Sequence, residues 1–99
     1  MGKRPFRFGI SFGGTPTRAE LVSAIRRGEA AVFDVVCTAD HLTSRPAVFP
    51  LLAMAAEVSS LRVSSMVIAN DYRHPVIVAR DAATLDIFSE GRLELGIGT

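Results

Sequence analysis

LRVSSMVIANDYRHPVIVARDAATLDIFSEGRLELGIG, residues 61–98, carries a strand pattern, a polar loop, a helix pattern and a second strand pattern in unbroken order. LRVSSMVIA is rich in β-branched and apolar residues, and NDYRHP closes it with turn formers. Pro75 suits the first turn of a helix, so PVIVARDAATLDIFSEG reads as helix as far as the stop at Gly91. RLELGIG then sets Leu93, Leu95 and Ile97 against Arg92 and Glu94, with Gly96 and Gly98 opposite. Two strands joined through a helix lie parallel, and the crossover is right-handed.

The same unit recurs toward the amino terminus. FRFGISF, residues 6–12, places Phe6, Phe8, Ile10 and Phe12 on one face, which predicts a strand with that face against the core. Gly13, Gly14 and Pro16 end it. In TRAE, Thr17 as N-cap and Glu20 three residues on form a capping-box pattern, which predicts a helix to about Ala31 with Leu21, Val22 and Ile25 as its apolar stripe. Arg18, Arg26, Arg27 and Glu29 are left for water, and Gly28 weakens the last turn. VFDVVC is apolar on both faces, as a parallel strand between two layers or lining a barrel would be. After a polar loop at 38–45, FPLLAMAAEVSS predicts a helix with Pro50 in its first turn.

The order is thus four parallel strands with three connecting helices. An open doubly wound sheet and a barrel both accommodate it. The last strand has no helix after it to cover it, which favours an α/β chain forming the first half of a TIM (β/α)8 barrel. Residues 1–99 are then the amino-terminal half of one barrel with no separate second domain.

Hydrophobic residues make up 48% of the chain, enough for a buried core and too many for disorder. Eleven basic and ten acidic side chains leave a net charge of +1, which supplies no basic stripe for nucleic acid. No segment is long and apolar enough to span a bilayer, and MGKRPFRFGISFGG breaks at Pro and paired Gly before any secretory apolar core. The single cysteine, Cys37, lies in an apolar run and reads as a buried small hydrophobe, so a cytoplasmic location is expected.

In both parallel architectures chemistry gathers at the carboxyl ends of the strands. Asp40 and His41 fall there, as do Ser64, Ser65 and the loop from Asn70 to His74. His41 either fixes its loop or points a ring nitrogen into a pocket, where it could move a proton near neutral pH. Asp40 is an orienter or brace more readily than an acid, because adjacent side chains in extended chain diverge. Ser64, Ser65 and Asn70 can hydrogen-bond at the rim, while Met66, Val67 and Ile68 either wall a flat ring or fill the core. Asp71, Arg73 and His74 can close their loop by ion pairs. Asp40, His41 and His74 are too loosely spaced for a metal site. The glycines of GISFGG and GIGT match neither the dinucleotide nor the P-loop fingerprint.

FDVVCTADHL, VSSMVIANDYRHPVIVARDAATLD and GRLELGIGT together resemble consecutive landmarks of the bacterial luciferase-like flavin and deazaflavin oxidoreductases, most closely the branch that uses the deazaflavin coenzyme F-420. The likeness runs from Phe6 onward. It implies a TIM-barrel oxidoreductase in which His41, with Asp40 beside it, serves proton transfer or cofactor positioning. It further implies that Ser65, Met66, Val67, Asn70, Gly98 and Thr99 face the cofactor, with a bulge and a cis peptide at Met66–Val67. Coenzyme F-420 is the expected cofactor and FMN the alternative, with a small-molecule substrate in the full-length enzyme. Val32 departs from the pattern, standing before FD where the family usually has glycine in the helix-to-strand turn. Later strands of the family supply most of the phosphate and substrate contacts. The chain alone is therefore expected to be inactive, pairing with a missing carboxyl-terminal half or with a second copy. A non-catalytic self-associating half barrel is the competing reading.

Overall fold

The computed structural model describes residues 4–43 and 46–99. Ser44 and Arg45 of the predicted 38–45 loop therefore lie outside the described residues. Along the chain run β1 (Gly9–Ser11), α1 (Arg18–Ala30), β2 (Val35–Thr38), α2 (Val48–Val58), β3 (Arg62–Ser65), β4 (Ile68–Ala69), α3 (Pro75–Phe88), β5 (Leu93–Glu94) and β6 (Ile97–Gly98), with a 3-10 turn at Asn70–Tyr72.

The TRAE pattern forms the capping box it predicts. The Thr17 hydroxyl accepts the Glu20 N–H at 3.2 Å, and Glu20 Oε1 accepts the Thr17 N–H at 3.3 Å. Two otherwise orphaned helix donors are satisfied in this way. At the other end of α1, the Phe33 N–H donates to Gly28 O and the Val32 N–H to Glu29 O, both at 3.0 Å. This is a Schellman closure, and it places Val32 in the left-handed region at φ 65°. The departure seen in the sequence thus coincides with a backbone position that favours glycine.

Four strands make one parallel sheet in the order β1-β2-β3-β5, and β4 pairs parallel with β6. Three helices flank it, giving the partial barrel that the alternation predicts. Val36 of β2 and Val63 of β3 are directly paired and fully buried. They pack with Leu21 and Ile25 of α1, Leu51, Leu52 and Ala55 of α2, and Val78 and Leu85 of α3 in one core. Burying each large aliphatic side chain of this set contributes about 1.5–3 kcal/mol. The opposite, helix-free face carries Val35, Cys37, Arg62, Ser64 and Glu94, by the alternation of strand side chains.

Two predicted features differ. The first strand is three residues long, and Phe6 and Phe8 are 92% and 62% exposed rather than buried. Ile10, on their face, packs so closely on Gly28 that a side chain there would collide with it. Gly28 is thus the seat that admits Ile10. The earlier phenylalanines lie beyond this contact. The third and fourth strands are each broken in two, at the cis peptide Met66–Val67 and at Gly96. The bulge implied by the resemblance therefore lies at the expected residues. No helix among the described residues is long and apolar enough to cross a membrane.

Candidate functional site

β2 delivers Ala39, Asp40 and His41 to the carboxyl end of the sheet. β3 delivers the Met66–Val67 bulge to the same end. The Met66 N–H donates to Thr38 O at 2.8 Å, so the two exits are joined where their strands stop. Beyond it, the Ser65 hydroxyl donates to Gly96 O and accepts the Gly96 N–H, each at 2.9 Å. The Ile68 N–H reaches the same Gly96 carbonyl at 2.7 Å. Ser65 is buried, and its hydroxyl is spent on holding β6's approach against the bulge. A methyl group on Gly98 would stand 2.5 Å from Val67 Cγ2, so the absence of a side chain at 98 is what lets Val67 sit where it does.

Asp40 is buried and fully engaged. Its Oδ2 accepts the Ala69 N–H at 2.9 Å and Arg73 Nη1 at 2.6 Å, while Oδ1 accepts Arg73 Nη2 at 3.0 Å. The Arg73 hydrogen bonds hold the carboxyl below its ordinary range, against the opposing effect of burial, and the Ala69 N–H adds to them. Arg73 is raised in turn by the same pair. A carboxylate committed in this way ties the β2 exit to the β4 exit. The brace reading of Asp40 is the one this geometry supports.

A cleft of about 210 Å³ opens beside this brace, lined by Ala39, Asp40, His41, Met66, Val67, Ala69, Tyr72 and Thr99. Five of the eight residues singled out from the sequence meet here: Asp40, His41, Met66, Val67 and Thr99. Ser65 and Gly98 lie behind the wall and shape it. Asn70 does not join them, because the 3-10 turn carries it to a separate apolar pocket of about 140 Å³ with Pro75, Leu95 and Ile97. Met66 and Val67 are 62% and 42% exposed, large apolar side chains presented at the cleft. Tyr72 was missed. It is the chain's one tyrosine, in an exit loop, and that placement was its only signal.

His74 is accounted for differently. Its Nδ1 accepts the Val76 N–H at 3.1 Å, capping α3 ahead of Pro75. His41 lines the cleft and His74 does not. Larger hollows of about 530 and 580 Å³ run along α1, but helix side chains such as Ala19, Ser23 and Arg27 line them, and they hold neither histidine. Among the described residues, no group of three or more metal-type side chains converges.

The family described as luciferase-like monooxygenase matches residues 5–99. Among solved structures, the coenzyme F-420 dependent tetrahydromethanopterin reductase from Methanopyrus kandleri is 28% identical, with a TM-score of 0.83 over 93% of this chain and 26% of its own. The monooxygenase RslO1 from Streptomyces bottropensis is 26% identical, with a TM-score of 0.82 over 94% of this chain and 33% of its own. The oxygenating constituent of 3,6-diketocamphane monooxygenase from Pseudomonas putida, in complex with FMN, is 22% identical. Its TM-score of 0.79 over 93% of this chain and 29% of its own marks a shared fold. The chain spans between a quarter and a third of the length of these proteins.

Proposed function

This chain belongs to the luciferase-like monooxygenase family, and we propose that its cleft is the ring-facing wall of a deazaflavin-dependent oxidoreductase acting on a small molecule. The observation that carries the reading is the convergence of His41, Met66, Val67 and Thr99 on one cleft. The donor set suits a flat, partly polar ring. Met66 and Val67 offer an exposed apolar surface, and His41, Tyr72 and Thr99 offer polar atoms along the same opening. At about 210 Å³ the cleft is below the roughly 300–1,000 Å³ of complete small-molecule sites. In this reading it is one wall, and phosphate and substrate contacts come from surfaces beyond these residues.

A bound deazaflavin would supply hydride transfer to or from substrate. The chain's own residues do the rest. Met66 and Val67 support the ring face and exclude water from it. His41 holds or passes a proton at a ring nitrogen, a role open to an imidazole that lines the cleft. Asp40 stays ionised under Arg73 and fixes the 39–41 segment, so it transfers no proton. Thr99 offers its hydroxyl at the open end of the cleft.

Support for coenzyme F-420 over FMN comes from the 28% identical reductase, whereas the FMN complex at 22% identity speaks only to fold. Fluorescence titration of the chain with oxidised coenzyme F-420 and with FMN tests this. Saturable F-420 binding, weakened about tenfold by Val67→Asp and little changed by His41→Ala, is expected. Tighter FMN binding would move the assignment to a flavin enzyme, and F-420 binding that Val67→Asp leaves unchanged would remove the ring-wall reading. In the whole enzyme, His41→Ala should lower turnover while His74→Ala leaves it near wild type.

A further inference from the structure

Tyr72 reaches the cleft because the loop that carries it is pinned at both ends to one carboxylate. Asp40 Oδ2 accepts the Ala69 N–H at 2.9 Å, just before the 3-10 turn Asn70–Tyr72. Just after the turn, Arg73 Nη1 and Nη2 donate to the two oxygens of the same Asp40 at 2.6 and 3.0 Å. A forked guanidinium–carboxylate pair fixes direction as well as distance. The turn is thereby folded back toward the β2 exit, and Tyr72 lines the same opening as His41, Met66 and Val67. Its side chain is part-exposed, and among the described residues its hydroxyl has no hydrogen-bond partner. A phenol held in place with its polar end uncommitted is a ready donor and acceptor for a bound molecule.

We propose that Tyr72 is a ligand-contacting residue of the cleft, its hydroxyl hydrogen-bonded to a carbonyl or nitrogen on the edge of the flat ring that Met66 and Val67 support, and that Arg73 is the positioning residue which, through Asp40, presents it. The inference rests on the ring-wall reading and adds to it a polar contact at the ring's edge. Met66 and Val67 can support any apolar plate that fits. A hydroxyl fixed at the same opening selects a plate with a hydrogen-bonding edge, because a plate without one leaves the hydroxyl desolvated and unpaired. Asp40 cannot make that selection, since its oxygens already accept three N–H groups. The clamp and the side chain it holds lie between Asp40 and Arg73, so the contact is complete within this chain.

Tyr72 is the chain's one tyrosine and Met66 one of three methionines, so isotope labelling of tyrosine rings and methionine methyls follows the two parts of the cleft separately by NMR. On titration with oxidised coenzyme F-420 to millimolar concentration, both signals should shift saturably. Tyr72→Phe removes only the hydroxyl and should weaken binding about fivefold while the Met66 shift is retained. Arg73→Lys keeps the charge but cannot fork across both oxygens, so it should move the ligand-free Tyr72 signal and weaken binding about as much as Y72F does. Met66 moving while Tyr72 stays still, or Y72F binding as tightly as wild type, would overturn the inference and leave the ring wall standing. So would R73K with the wild-type Tyr72 signal and affinity, the result expected of an arginine that only stabilises the fold. Tyr72 moving without Met66 would remove the ring wall and this inference with it. A Tyr72 signal unmoved at millimolar coenzyme would also overturn the inference, because the clamp and the phenol both lie within this chain. Should circular dichroism show R73K to be unfolded, Y72F and the two signals decide the matter.

Discussion

Replacing Asp40 by asparagine tests the brace on which the cleft is built. The carboxylate accepts three hydrogen bonds, two from one guanidinium and one from the Ala69 N–H. An amide keeps one acceptor but turns an NH2 group toward Arg73, a donor facing a donor, and it removes the charge. Asp40's side chain is 6% exposed and Arg73's 26%, so the pair is partly shielded from water. Hydrogen bonds to charged groups contribute about 1.5–3 kcal/mol each, and breaking a fully buried pair costs about 3–5 kcal/mol. With Arg73 able to recover some water, the loss should be about 3 kcal/mol at neutral pH. The pH dependence has a definite sign. Asp40's folded value is lowered, so its stabilisation is fully present above the unfolded value of about 3.9 and is lost as pH falls through the folded value. Urea unfolding of wild type and D40N, followed by helical circular dichroism, should give a constant gap near neutrality that narrows below about pH 4. Subtracting one chain from the other cancels the titration of Glu94 and Glu29, which are also lowered. A gap under about 0.5 kcal/mol at pH 7, or one as wide in acid as at neutrality, would refute the argument.

Val32→Gly should stabilise the chain by about 0.5–1 kcal/mol, since relief of a β-branched left-handed residue outweighs the added chain entropy; a lower melting temperature would contradict this. Arg92 donates to the carbonyls of Ser89, Ser59, Leu61 and Ala56 at 2.7–2.8 Å, closing the carboxyl end of α2. Arg92→Ala should therefore cost about 2–4 kcal/mol in denaturant unfolding, and Arg92→Lys should recover only part of it. Gly98→Ala should displace Val67 and loosen coenzyme F-420 binding without a comparable loss of stability, read by titration and melting of the same sample.

What the sequence determined by itself is what depends on neighbours a few residues apart. The capping box of Thr17 and Glu20, the helix start at Pro75 and the stripe of Leu21, Val22 and Ile25 all follow from local sequence, and all are present. Strands separated by helices had to be parallel, and that fixed which loops share the end where Asp40 and His41 stand. The misplacement of Phe6 and Phe8 has the same origin, since alternation reveals a face but not whether anything covers it. Tertiary structure alone decided the partners. Asp40 meets Arg73 across 33 residues, Arg92 meets Ala56 across 36, and Arg7 meets Glu94 across 87. No periodicity encodes such pairs, because a charged side chain finds its partner only after the sheet has set the register that brings distant strands level.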